Sequence, residues 1–127
     1  MKTILVDAVG VFVSEDGVVD TNLFSLLEKY TNKKIILTNA DYEDTNKYNL
    51  NNLPYEVFTL KHNPDKVDPD YFQKMLEHFG LKADGCVYFE HSPEAVKSAE
   101  SVGILTHYYD EQKRDLDSLK NFLDSNL

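Results

Sequence analysis

Four short stretches hold the side chains in this chain that could do chemistry together. Asp7 ends the run Thr3-Ile4-Leu5-Val6, Thr38-Asn39 follow Ile35-Ile36-Leu37, and Glu90-His91-Ser92 follow Cys86-Val87-Tyr88-Phe89. Lys66 stands just ahead of Asp68-Pro69. Together they offer one nucleophilic carboxylate, a hydroxyl, an amide, an ammonium and a carboxylate–imidazole pair. Such an inventory suits a phosphoryl group, which needs an attacking oxygen, donors for its non-bridging oxygens and a holder for positive charge. Each residue also has a commoner duty. An Asp at a strand end often caps the next turn, Thr-Asn and Ser can open a helix, and a lysine is usually solvated. The signal lies in their joint placement at strand ends.

The elements that would position them are readable from periodicity. Continuous β-branched and apolar runs at residues 3–6, 35–37, 57–60, 86–89 and 104–108 suit strands buried on both faces. Between them, apolar residues recur at three- and four-residue spacing. The first stripe is Leu23, Phe24, Leu26, Leu27 and Tyr30, and the second is Phe72, Met75, Leu76 and Phe79. Ala95, Val96, Ala99 and Val102 make a third, and Leu116, Leu119, Phe122 and Leu123 a fourth. Asp68-Pro69 and Ser92-Pro93 are helix starts, and Gly80 and Gly103 are stops. The Asn-rich stretch 41–52 predicts a short helix. Strand–helix alternation with short connections predicts an α/β fold, a three-layer α/β/α Rossmann-like parallel sheet. In such sheets ligands bind beyond the carboxyl ends of the strands. Val-Phe-Val and Gly-Val-Val flanking Ser14-Glu15-Asp16 predict a β-hairpin flap after the first strand.

Composition excludes several classes. The chain has 127 residues, a length that suits one domain spanning 1–127. Its 22 acidic and 13 basic side chains give a net charge of −9, which disfavours nucleic acid as a partner. No apolar run approaches the ~20 residues of a membrane helix, so no membrane partner is expected. One cysteine, Cys86, rules out an internal disulfide and points to a reducing, cytoplasmic setting, as does the lack of a cleavage-site pattern.

The runs ILVDAVGVFV, IILTNA, KVDPDYFQKMLEHFGL and CVYFEHSPEAVKSAESVGILTHYYD resemble, in order, the four motifs of the haloacid dehalogenase (HAD) superfamily of phosphohydrolases. The resemblance implies a HAD-like core and a phosphoaspartate mechanism. Asp7 would attack phosphorus, Thr38 and Asn39 would hold the transferring group, and Lys66 would neutralise charge. It implies magnesium between Asp7, the backbone carbonyl of Val9 and the fourth motif, Glu90 and His91. Only about 30 residues separate Asp7 from Thr38, so no cap domain is expected there. The substrate class implied is a small phosphorylated molecule or a phosphoprotein. Val11, Phe12 and Val13 of the flap, with Tyr108-Tyr109, suit either packing as a lid over the core or a subunit contact, and the second would make a homodimer.

Two motifs depart from the pattern. Val9 stands where the family's acid/base aspartate is expected, and an isopropyl group transfers no proton, an aid worth roughly 10²–10⁴-fold. His91 replaces the principal metal carboxylate, although magnesium prefers oxygen ligands. Two functional expectations follow: a weak or specialised phosphohydrolase, or a catalytically inactive relative that acts by binding or assembly.

Overall fold

The structure is a computed structural model that describes residues 1–127. Five parallel strands form its centre: β1 (Thr3–Asp7), β2 (Lys34–Thr38), β3 (Glu56–Thr59), β4 (Cys86–Glu90) and β5 (Leu105–Tyr108), in the order β3-β2-β1-β4-β5. The helices are α1 (Thr21–Leu27), α2 (Tyr42–Lys47), α3 (Pro69–Phe79), α4 (Pro93–Ser101) and α5 (Leu116–Asn126). Every residue of β1 and β4 is buried, as continuous apolar runs require.

Alternation along each strand splits the core into two. Ile4, Val6, Ile36, Val87 and Phe89 pack with Leu23, Leu26 and Leu27 of α1 and Leu119 and Leu123 of α5. Leu5, Ile35, Leu37, Phe58, Cys86 and Tyr88 face the other way, against Tyr71, Phe72 and Met75 of α3 and Ala99 of α4. Each fully buried large apolar side chain contributes roughly 1.5–3 kcal/mol. The three-layer α/β/α arrangement is therefore the predicted one. Asp68, with Pro69 at the first helical position, starts α3, and Gly80 (φ 64°) ends it in the left-handed conformation. Ser92 and Pro93 start α4 in the same manner.

The structure sharpens three local expectations. The flap after β1 is a minimal hairpin: Val13 pairs antiparallel with Val19, framed by the Ser14 amide to the Val18 carbonyl and the Asp20 amide to the Phe12 carbonyl, each at 2.9 Å, and Val9 makes a further isolated bridge to Val13. The amides of Phe12 and Val13 turn back to the Ala8 carbonyl at 2.9 and 3.1 Å, in the tight turn that leads into it. Val11, Phe12 and Val13 are buried and pack in the core, as the lid alternative has it. Helix α1 stops at Leu27, short of Tyr30, whose amide bonds the Leu27 carbonyl in the closing turn. The stretch 41–52 divides into α2, opened by a capping box of Asp41 and Asp44, and a separate 3₁₀ turn at Leu50–Asn52. Tyr108 is exposed and Tyr109 is buried.

No helix is long and apolar enough to cross a membrane. Between Asp7 and Thr38 lie only the flap turn, α1 and β2, with no inserted cap.

Candidate active site

Strand order decides which polar residues meet. The chain runs from β1 outward to β2 and β3, then crosses back to place β4 on the other side of β1, so the switch point lies between β1 and β4. In the ladders Asp7 pairs with Leu37 and Val6 with Phe89, which brings Asp7, Thr38 and Glu90 to one rim. The residues singled out in the sequence all line one cleft of about 420 Å³ there: Asp7, Val9, Thr38, Asn39, Lys66, Glu90, His91 and Ser92.

Lys66 reaches the rim from the β3–α3 loop. That loop carries two consecutive non-glycine residues with positive φ, Lys61 (56°) and His62 (65°), a conformation that costs about 1–2 kcal/mol per residue. Asn39 anchors the loop, because its Oδ1 accepts the Lys66 amide at 2.8 Å. The Ser98 hydroxyl donates to the Val67 carbonyl at 2.6 Å on the other side. Far from being a solvated surface charge, Lys66 is 7% exposed. Its Nζ donates at 2.8 Å to Asp7 Oδ1 and at 2.8 Å to Glu90 Oε1.

His91 completes the cluster. Its Nδ1 lies 2.5 Å from Asp7 Oδ2 and 3.3 Å from Glu90 Oε2, and its backbone N–H donates to Asp7 Oδ2 at 3.1 Å. The other face of the ring lies close to Gly10, where an added Cβ would stand 3.2 Å from His91 Cε1 and 2.8 Å from Glu111 Oε2. Gly10 (φ 95°) is thus required both by its backbone and by the ring beside it. Glu90 Oε1 also accepts the Tyr88 hydroxyl at 2.5 Å, and Oε2 accepts the Ser92 amide at 3.0 Å.

The charges interlock. Burial opposes the Lys66 charge, but Asp7 and Glu90 beside it hold its ammonium well above the ordinary lysine value. Burial also opposes the Glu90 carboxylate, yet Lys66 keeps it well below the usual carboxylate range. Burial pushes Asp7 up, with the pull of Lys66 opposing. Hydrogen bonds to Asp7 and then Glu90 push His91 up to about 10, against the effect of burial. Two carboxyl groups thus face an ammonium and an imidazole in one buried cluster.

The sign of the His91 shift makes a prediction. A group whose folded pKa is raised favours its charged form in the fold, so its contribution is complete below its ordinary value of 6.5 and is lost as pH rises through about 10. Urea unfolding across that range should show stability falling with pH, and His91→Gln should flatten the fall. An unchanged slope in the variant would place the titrating group elsewhere.

Thr38 and Asn39 have structural partners as well as places in the cleft. Thr38 Oγ1 accepts the Ala40 amide at 3.2 Å, and α2 takes its cap from Asp41. The sequence reading missed Tyr88 and Tyr71. Tyr88 is two residues before Glu90, and strand alternation puts both on one face, so that signal was present. Tyr71, whose hydroxyl donates to the Thr38 carbonyl at 2.9 Å, looks in the sequence like any core aromatic of α3. His62 also lines the cleft, 3.2 Å from Asp65 and 3.4 Å from Asp44.

The magnesium implied by the motifs does not fit this donor set. Asp7 Oδ2 already accepts two donors from His91, and both oxygens of Glu90 are bonded. The third group is an imidazole, a poor ligand for a hard cation that demands oxygen in tight octahedral geometry.

No protein-family model matches the chain. No curated protein matches it in sequence. Solved structures do match in fold. A predicted HAD-like family hydrolase from Porphyromonas gingivalis superposes with a TM-score of 0.76 at 14% identity, over 97% of this chain and 98% of that one. The HAD-family enzyme bt-2542 from Bacteroides thetaiotaomicron superposes with a TM-score of 0.73 at 15% identity, over 94% and 98%. The same enzyme in complex with magnesium and inorganic phosphate gives 0.69, over 85% and 93%. With its central parallel sheet, its switch-point cleft and these structural neighbours, the chain has the fold of the HAD-family hydrolases, without a cap domain between β1 and β2.

Proposed function

We propose that the cleft takes a phosphate monoester and that Asp7 is the group that attacks phosphorus, in a hydrolysis that is slow by the standards of this fold. The observation that carries the reading is that Asp7, Thr38, Asn39 and Lys66 share one cleft, with Lys66 2.8 Å from the carboxylate. Asp7 Oδ1 accepts a hydrogen bond from Lys66 and retains a lone pair for attack. Attack forms the Oδ1–phosphorus bond as the ester oxygen leaves with its electron pair. Water then adds to the acyl phosphate, and inorganic phosphate departs. Lys66 and His91 offset the charge that develops, so no step here passes through a metal. Val9 has no proton for the departing oxygen, which selects esters whose leaving group is weakly basic. A small phosphorylated molecule, or a phosphorylated side chain on a protein, meets that condition if its leaving oxygen is acidic enough.

Asp7→Asn should abolish turnover of p-nitrophenyl phosphate and acetyl phosphate, measured as released phosphate. Turnover that survives the substitution would falsify the reading.

A second reading is favoured by the clasp on Asp7 Oδ2, which takes two donors from His91, together with the apolar Val9. In it the protein is catalytically inactive and acts by binding. Inorganic phosphate would then bind, while a broad panel of phosphomonoesters gives no release above buffer. Release by the unmodified protein, lost with Asp7→Asn, would remove this alternative.

A further inference from the structure

We infer that the side chain of His91 takes the place of the divalent cation in this cleft, so that the site is closed to Mg²⁺ and meets a phosphate group without one. The inference deepens the phosphate-monoester reading and rests on it only for what the cleft is used for. Exclusion of the cation is a property of the free protein.

Position is the first argument. A cation serving this cleft would have to bind an Asp7 oxygen and a Glu90 oxygen at once. His91 Nδ1 is the atom that does so, 2.5 Å from Asp7 Oδ2 and 3.3 Å from Glu90 Oε2. Octahedral magnesium needs its oxygens at roughly 2.0–2.1 Å, and an ion so close to Asp7 Oδ2 on the Glu90 side would overlap the ring.

Packing is the second. The ring's far edge is flanked as well: a Cβ on Gly10 would stand 3.2 Å from Cε1 and 3.3 Å from Nε2, and Glu111 Oε2 stands 3.9 Å from Nε2. The backbone amide of the same residue holds Asp7 Oδ2 at 3.1 Å, so the two groups of His91 grip one oxygen together.

Satisfaction of the carboxylates is the third. Lys66 binds Asp7 Oδ1 and Glu90 Oε1, Tyr88 binds Glu90 Oε1, and the Ser92 amide binds Glu90 Oε2. A dication would have to displace donors already in place, whereas an imidazole edge fits among them.

Manganese, which takes the same oxygen ligands and broadens nearby resonances, reads this directly. In ¹H–¹⁵N spectra of the full chain, millimolar Mn²⁺ should leave the amides of Ala8, Val9 and Phe89 without saturable broadening. His91→Asp and His91→Ala should each gain it, the first by adding an oxygen ligand and the second by vacating the space. Calorimetry with Mg²⁺ should show the same contrast, with at least a tenfold gain in affinity in His91→Asp. Saturable broadening at those amides in the unmodified protein would overturn the inference. So would folded variants that both stay blind to Mn²⁺, since something other than the ring would then be excluding the ion. Phosphate titrations in EDTA and in Mg²⁺ should give affinities within about twofold of each other. If phosphate binds in neither buffer, the phosphate-monoester reading fails while the manganese result still decides this one.

Discussion

Replacing Lys66 with methionine is expected to destabilise the fold by about 3–5 kcal/mol, the largest stability effect of any single substitution at this site. The side chains have similar volume, so the effect is electrostatic. Asp7 is 1% exposed and Glu90 is fully buried, and the Lys66 ammonium bonds both at 2.8 Å. Without it, two carboxylates share a dry site with only the His91 imidazole against them. One of them then takes up a proton, so the deficit should narrow as pH falls toward about 5, where that protonation costs less. Adding Glu90→Gln to the methionine variant removes one of the stranded charges and should recover part of the loss, so the two substitutions couple strongly. Urea unfolding of the wild type, both single variants and the double variant at two pH values checks this. A methionine variant within about 1 kcal/mol of wild type would mean that the cluster is far better hydrated than its burial implies.

Val9→Asp is expected to raise the turnover of p-nitrophenyl phosphate by about 10²-fold or more, the gain in rate with the largest expected size. Val9 lines the cleft two residues beyond Asp7, and its isopropyl group offers no proton to the oxygen that the proposed hydrolysis would release. A carboxyl group there could protonate the leaving oxygen and then activate the water that opens the acyl phosphate. The gain should be larger for alkyl than for aryl phosphates, because an alkoxide depends more on receiving a proton. An equal gain on both would argue that the new carboxylate acts through charge alone. No gain on either, with the variant folded, would favour the inactive reading, in which Asp7 stays clasped by His91.

The strands, the helix starts at Asp68-Pro69 and Ser92-Pro93, and the layer order were legible in the sequence because each rests on local rules. A continuous apolar run suits a strand buried on both faces, and a proline after a capping residue is preorganised for the first turn of a helix. The flap was legible too, because Asp16-Gly17 turns the chain and Val13 meets Val19 across it, but its short length was not, since Phe12 and Val13 send their amides back to Ala8.

The site divides along the same line. The sequence by itself determined which groups stand at the strand ends, Asp7, Thr38 and Glu90-His91, because residue types and strand boundaries are written side by side. It also determined that Val9 can pass no proton. Only the tertiary structure decided that β4 lies beside β1, which makes distant residues neighbours of Asp7, and that Lys66 descends from its loop to bond both carboxylates. It alone decided that the His91 ring turns inward onto Asp7 instead of outward to solvent. The reason is physical: strand order and side-chain direction are set by packing across the whole sheet and by pairing every buried charge, and no short stretch of chain contains that information.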